Sequence, residues 1–243
     1  MVFCAAIFSG CQNDLHDKKL AKDLYAEAYA SWEKKQFKRA LDAFEEVERQ
    51  HPYSDHAGQA LLMAGECALK AKQYSRGIMS LDMFIRMHPT SESIEKAFYL
   101  RALCYDENRG HMLNDLANAR NALQAFDGLL NRFPKGRYVK EVEKRRANLV
   151  RFLAEKDLKM AVFYKNQNNL SAALHHLSFV DKCGDESGLG PKVLYETVCC
   201  FRSLGMHLAA QRMCDRMRSI YPNHTLTLEA VHRCKNKTGA VNQ

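Results

Sequence analysis

Apolar residues recur along this chain at helical spacing, in short blocks that end at a proline or at a polar turn. The first block carries small and bulky apolar residues at Ala28, Ala40, Phe44 and Val47, and it stops at Pro52. Apolar positions three and four residues apart lie on one face of an α-helix, and a proline marks where a helix ends. The block therefore predicts a pair of helices, each with one apolar face.

The same order of small, bulky and helix-ending residues returns four more times. Copies at 21–54 and 58–91 are followed by a third that an insertion at 106–115 interrupts, and then by copies that end near Asp185 and at Pro222. This period is typical of tetratricopeptide repeats, in which each helix pair packs on the next. It predicts an all-α fold, a right-handed solenoid of five helix pairs whose first helices line a concave surface.

A stretch from Tyr138 to Gln167 contains neither glycine nor proline and keeps helical spacing throughout. It predicts one long helix that joins three front repeats to two back repeats. Lysine and arginine are frequent in it, so its charged face is either solvated or a docking surface for an acidic partner. The chain then divides into a signal remnant and linker at 1–19, front repeats at 20–135, the long helix and back repeats at 136–224, and a capping helix with a basic tail at 225–243.

The amino-terminal stretch begins with one short apolar segment, MVFCAAIFSG, which is followed directly by Cys11 and polar residues. Small residues at Ser9 and Gly10 before a cysteine resemble the lipobox of a bacterial lipoprotein signal, in which that cysteine is acylated. Phe8 stands where leucine is usual, and a plain apolar terminus is the alternative. Since several acyl chains anchor a protein stably, Cys11 is expected to be a lipid anchor.

A net charge of +8 over 243 residues favours acidic partners, whether proteins, nucleic acids or anionic membranes. The nine cysteines form no Cys-x-x-Cys pair, and their spacing suggests neither a disulfide framework nor a zinc site. We expect Cys67, Cys104, Cys200 and Cys214 to be small core residues on helices.

Residue patterns for catalysis are lacking in the sequence. The glycine-rich run at 184–192 follows a predicted helix rather than a strand and lacks the spacing of a phosphate-binding loop. Adjacent His175 and His176 point to different sides of a helix, so they do not form a chelating pair. We therefore predict a protein that is not an enzyme and has neither a metal nor a cofactor.

Binding is the remaining function, and first-helix positions of the front repeats predict where it occurs. Aromatic rings with scattered polar groups on that side suit an extended peptide with an aromatic end. The alternative is that Tyr25 and Trp32 simply cover the core of the first hairpin. The predicted groove residues are Lys22, Tyr25, Tyr29, Trp32, Gln59, Leu62, Glu66, Tyr99, Leu103 and Asp106.

Five runs of sequence point to a family. They are FEEVERQHPYS at 44–54, FIRMHPT at 84–90, YLRALCY at 99–105, NRFP at 131–134 and LAEK at 153–156. In order and spacing they resemble the BamD family of outer-membrane β-barrel assembly lipoproteins, and the resemblance extends from about Leu24 to Pro222. It implies a non-enzymatic, lipid-anchored component of the barrel-insertion machine at the periplasmic face of the outer membrane, without a nucleic-acid partner.

The same resemblance implies two partners. The front repeats would receive the carboxy-terminal β-signal of unfolded barrel precursors, which ends in an aromatic residue. The back half would dock on a periplasmic domain of the central barrel subunit, BamA. Many members carry arginine where this chain has His176, and Lys144, Arg145 and Arg151 on the basic long helix are the other docking candidates.

Two other classes of protein stay open from the sequence. One is a peptidoglycan-associated or other cell-envelope adaptor lipoprotein built from the same repeats. The other is a basic cytoplasmic adaptor that binds RNA, although its long helix lacks regularly interleaved aromatics on which bases could stack.

Overall fold

The computed structural model describes residues 20–109 and 116–235, and within these ranges the chain forms eleven α-helices and no β-strand. The helices are α1 (Ala21–Glu33), α2 (Phe37–Gln50), α3 (Asp55–Lys70), α4 (Tyr74–Met87), α5 (Ile94–Glu107), α6 (Leu116–Arg132), α7 (Val139–Asn166), α8 (Leu170–Lys182), α9 (Gly190–Ser203), α10 (His207–Ile220) and α11 (Thr225–Lys235). None of these described helices has the length and apolarity needed to cross a membrane. The predicted all-α architecture of helix pairs with one long helix, α7, is confirmed.

The hairpins share one type of turn, which sets their common spacing. Helices α2 and α4 begin 37 residues apart, as do α8 and α10. Each of these turns contains one residue in the left-handed region, namely Lys35, Lys72 and Asn168 at φ 58° and Gly205 at φ 73°. The next amide donates back across the helix end, for example from Gln36 to the Ser31 carbonyl at 3.0 Å. This is the Schellman arrangement, which satisfies carbonyls that the helix end leaves open.

Two compact units make up the chain, one ending at Cys104 and the other beginning at Tyr105. The predicted boundary between the front and back repeats, after residue 135, lies at the end of a repeat, whereas the two units are defined by contacts between residues. That boundary stays a prediction. In unit 1, fully buried Phe44 and Val47 pack with Ala60 and Ala64. Small residues at these contacts let α2 and α3 approach closely, so a short chain segment buries a continuous core.

In unit 2, α7 packs against α6 and α8, and α11 closes the carboxy-terminal pair α9 and α10. Ala161, Ala173 and Leu177 belong to the core of α7 and α8, where they are almost completely buried. The α11 helix contributes fully buried Ala230 to the core of the last pair. The core of α7 with α8 and the core of the last pair therefore both include residues of α9.

The cysteines behave as predicted in one respect and differ in another. Cys67, Cys104, Cys200 and Cys214 are all fully buried on helices. However, Cys214 is also disulfide-bonded to Cys234, and the bond joins α10 to α11. The sequence did not predict this pair, because its partners come together only when α11 folds back on α10.

Candidate functional site

An aromatic row on α1 is the main candidate site in unit 1, formed by Tyr25, Tyr29 and Trp32 together with His56 of α3. Spacings of four and three residues place the three α1 rings on one helix face. Neighbouring ring centroids lie 6.4 Å apart for Tyr25 and Tyr29 and 5.4 Å apart for Tyr29 and Trp32. The His56 ring stacks on Tyr25 at 5.4 Å, so the row extends from the first repeat to the second.

The rings of the aromatic row differ in how they are held. Tyr25 and Trp32 pack against the buried core, and the Tyr25 ring meets Phe44 edge-on at 5.4 Å. Burial, followed by the nearby Tyr29 hydroxyl, raises the pKa of Tyr25, so this phenol stays neutral and keeps its proton to donate. Tyr29 is 39% exposed and presents its ring to solvent. The row thus has a fixed base and one accessible ring.

The remaining groove residues of unit 1 fall into exposed, paired and buried groups. Lys22 and Gln59 are exposed, and the Glu66 carboxylate forms a 2.8 Å ion pair with Lys96 of α5. Leu62 and Leu103 are each 8% exposed, so they support the surface more than they form it. Tyr99 is half-buried on α5.

Asp106 is not open to a ligand, in contrast to its place in the predicted groove. It lies in unit 2 and is 5% exposed. Its carboxylate accepts from Arg145 of α7 at 3.1 Å and is paired with Arg109 at 2.9 Å. Two guanidinium groups therefore neutralise this buried charge, and Asp106 joins the end of α5 to α7 instead of contacting a peptide.

The docking candidates on α7 also divide into internally paired and exposed residues. Arg145 is engaged by Asp106, by Glu141 at 2.8 Å and by Glu107 at 3.6 Å, so its role is internal. Lys144 is exposed. Arg151 is also exposed and forms only a surface pair with Glu155 at 3.1 Å, which solvent screens. Of the three docking candidates on α7, Lys144 and Arg151 are thus available to a partner.

His176 of α8 sits on a buried carboxylate. Its Nδ1 atom lies 2.9 Å from Asp157 of α7, which is 5% exposed, and its ring stacks on Tyr164 with centroids 5.5 Å apart. Arg120 of α6 approaches the other carboxylate oxygen of Asp157 at 3.7 Å. Since an imidazole held on two sides has little freedom, His176 presents only its outer edge to a partner.

The neighbouring His175 is exposed and packs on Phe179, with ring centroids 4.9 Å apart. Phe179 is 39% exposed, and the guanidinium of Arg120 and the ammonium of Lys182 each lie 5.7 Å from its centroid. The two histidines therefore have different environments. Sequence reasoning missed the cations around Phe179, because they come from α6 and from the end of α8.

The predicted lipid anchor, Cys11, lies outside the described residues.

Comparison with known proteins gives one family and several relatives. Residues 17–227 match the model of the YfiO family, described as an outer membrane lipoprotein. The outer membrane protein assembly factor BamD of Caulobacter vibrioides is 27% identical over 217 residues, which cover 87% of this chain and 71% of that protein. BamD of Rickettsia prowazekii is 26% identical over 233 residues, covering 95% and 93%.

Among solved structures, a tetratricopeptide repeat protein from Parabacteroides merdae superposes with a TM-score of 0.44 at 14% identity, covering 90% of this chain and 87% of that one. The thermophilic TPR protein TTC0263 of Thermus thermophilus gives a TM-score of 0.38 at 12% identity, covering 89% and 98%.

Proposed function

The chain belongs to the YfiO family of outer membrane lipoproteins, and we propose that it is a non-enzymatic scaffold in outer-membrane protein assembly. Unit 1 binds the carboxy-terminal β-signal of unfolded barrel precursors. Unit 2 docks on a periplasmic domain of a BamA-like central subunit. A lipid on Cys11 holds the protein at the periplasmic face of the outer membrane. Family membership supports the assembly role, and the surfaces of each unit support the division of labour.

The aromatic row is the observation that carries the peptide-binding proposal. An unfolded precursor that ends in an aromatic residue offers a ring and a terminal carboxylate. Tyr29 offers an accessible ring whose neighbours are already packed, so little side-chain entropy is lost when a second ring stacks on it. Lys22, one turn before Tyr25, is exposed and forms no ion pair within the described chain, so its ammonium suits the carboxylate.

Docking through unit 2 rests on positive charge along α7 and on a histidine of α8 that a buried carboxylate holds in place. Lys144 and Arg151 lie on exposed positions of α7, while Asp157 holds His176 in place. These cations would attract an acidic partner surface and speed its association. The association rate would fall as the salt concentration rises. His176 replaces the arginine expected from the family resemblance, so bidentate carboxylate recognition at this point is weaker here.

A peptide that ends in phenylalanine tests the proposed binding of the β-signal by unit 1. We expect Tyr29→Ala to weaken its binding by about tenfold, the loss of a typical aromatic hot spot. Tyr53→Ala is the matched control, since Tyr53 is 94% exposed and outside the aromatic row. Converting the peptide carboxylate to an amide should weaken binding to the parent chain but not to Lys22→Ala. Equal affinity of the parent and Tyr29→Ala for the peptide would remove the row as its site.

The docking surface has a separate test. Lys144→Glu combined with Arg151→Glu should weaken binding to the isolated periplasmic domain of the central subunit, and Lys192→Glu, an exposed charge on α9, should not. Loss of binding in both variants would indicate general charge attraction rather than this surface. Anchoring is tested by incorporation of labelled palmitate, which Cys11→Ala should abolish.

A further inference from the structure

The first repeat has a face whose equivalent in the second repeat is covered by the preceding helix. In the first repeat, no part of the described chain covers this face. This face is a cleft of about 510 Å3 between α1 and α2. Its lining is Glu27, Ala30, Ser31, Lys34, Gln36, Arg39 and Ala43. We call it the first-repeat cleft. All of its residues belong to unit 1.

The second repeat indicates what such a cleft takes. Because α2 and α4 begin 37 residues apart, each residue of the first repeat has an equivalent 37 positions later. The equivalents of Ala30 and Ser31 are Cys67 and Ala68, and both are fully buried in the core that α2 shares with α3. In the second repeat this face is therefore covered by the preceding helix, α2.

A Gln-x-x-Arg pair occurs at the start of the second helix in both repeats. In the second repeat, Gln73 accepts from Arg76 at 2.6 Å. Arg76 also donates to Asp42 at 2.7 Å and Glu45 at 2.5 Å, two carboxylates one turn apart on α2. These carboxylates raise the pKa of the Arg76 guanidinium, because their hydrogen bonds favour its charged form.

The first repeat has the same pair, Gln36 and Arg39, without the carboxylates. Arg39 is exposed and forms no hydrogen bond or ion pair within residues 20–109 and 116–235. Exposed Lys34 lines the same cleft and adds a second cation. The cleft thus has two cations, one carboxylate at Glu27 and small side chains, while the described chain offers Arg39 no counterpart of the acidic pair that binds Arg76.

We propose that the first-repeat cleft is a docking site for an acidic helix of a partner protein, one that carries two carboxylates one turn apart. That helix lies along α1 and α2 as α2 lies along α3 and α4, and its carboxylates bind Arg39. This site is distinct from the aromatic row, which faces the first-helix side of the unit, so it does not depend on the proposed peptide binding.

The helix α2 itself supplies the probe, because its acidic pair, Asp42 and Glu45, binds the Gln-x-x-Arg motif of the second repeat. A helix-stabilised peptide with the sequence of residues 37–50 is titrated against the full chain, with fluorescence anisotropy as the readout. We expect saturable binding that weakens at least about tenfold in Arg39→Gln, while Lys38→Gln, the exposed neighbour outside the cleft, leaves it unchanged. A peptide with Asn in place of Asp42 and Gln in place of Glu45 should bind the parent chain more weakly by the same factor.

Any of four results would overturn the proposal. Equal binding to the parent chain and Arg39→Gln would show that the cleft is not the site. Equal weakening by Lys38→Gln would show general charge attraction. Binding that appears only after removal of residues 1–19, or a dimer of the parent chain that Arg39→Gln dissociates, would assign the cleft to this chain itself rather than to a partner protein.

Discussion

Gly65 tests whether small side chains set the distance between the helices of unit 1. A Cβ atom at this position would lie 2.4 to 2.9 Å from three side-chain carbons of Leu81, closer than packed carbon atoms come. Leu81 is fully buried in α4, so it has no free space into which to move. Overpacking of this kind costs about 1–3 kcal/mol. Alanine returns about 1 kcal/mol through its higher helix propensity, and we expect Gly65→Ala to lower the free energy of unfolding by up to about 2 kcal/mol.

The single tryptophan makes the measurement specific to one unit. Trp32 belongs to unit 1, as do Gly65 and Leu81, so its fluorescence during urea unfolding reports on the unit that is perturbed. Gly128→Ala is the matched control. Gly128 lies on α6 in unit 2 with nothing within 4 Å of its added Cβ, so this change should leave the tryptophan transition in place.

A double-mutant cycle isolates the steric cause. Leu81→Ala alone should destabilise unit 1 by about 2–5 kcal/mol, because it opens a cavity. In that background the added methyl group of Gly65→Ala has space, and its effect should change sign to a gain of up to about 1 kcal/mol. If Gly65→Ala were neutral in the parent chain, or equally costly in both backgrounds, close approach at Leu81 would not be the cause.

Three further predictions concern turns, sulfur chemistry and pH. Gly205→Ala should cost about 1–2 kcal/mol in thermal unfolding, because φ is 73° there, whereas Gly205→Asn should cost less. Cys234→Ser should lower stability by about 3 kcal/mol by opening the bond to Cys214, and a reductant should then affect the parent chain only. Burial raises the pKa of Cys67 and of Cys104 to about 12, from an ordinary value near 9, so folding disfavours both thiolates. The contribution of these two thiols to the stability of unit 1 should therefore be constant below about pH 9 and fall between pH 9 and 12, and alanine at both positions should reduce the slope in that range.

The sequence predicts the repeats well because their signals are local. Small residues at Ala40 and Gly77, and prolines after α2 and α4, mark helix faces and ends within a few residues. Contacts between distant segments have no such local signal in the sequence. Asp106 has the helical register of a groove residue, and only the return of α7 brings Arg145 onto its carboxylate, 39 residues later. The spacing of Cys214 and Cys234 likewise carries no signal for their bond, because the position of α11 decides it.

Equivalent positions in successive repeats also limit where the proposed peptide can place its aromatic end. The second-repeat counterparts of Tyr25 and Tyr29 are Leu62, which is 8% exposed, and Glu66, whose carboxylate is paired with Lys96. Neither offers a ring, so a terminal aromatic residue suits the first repeat better than the second. In the proposed mode the last ring of the peptide therefore lies at Tyr29, and the preceding residues extend toward α3 and α5. Replacing that terminal phenylalanine with alanine should then reduce the effect of Tyr29→Ala while leaving any contribution of Gln59 intact.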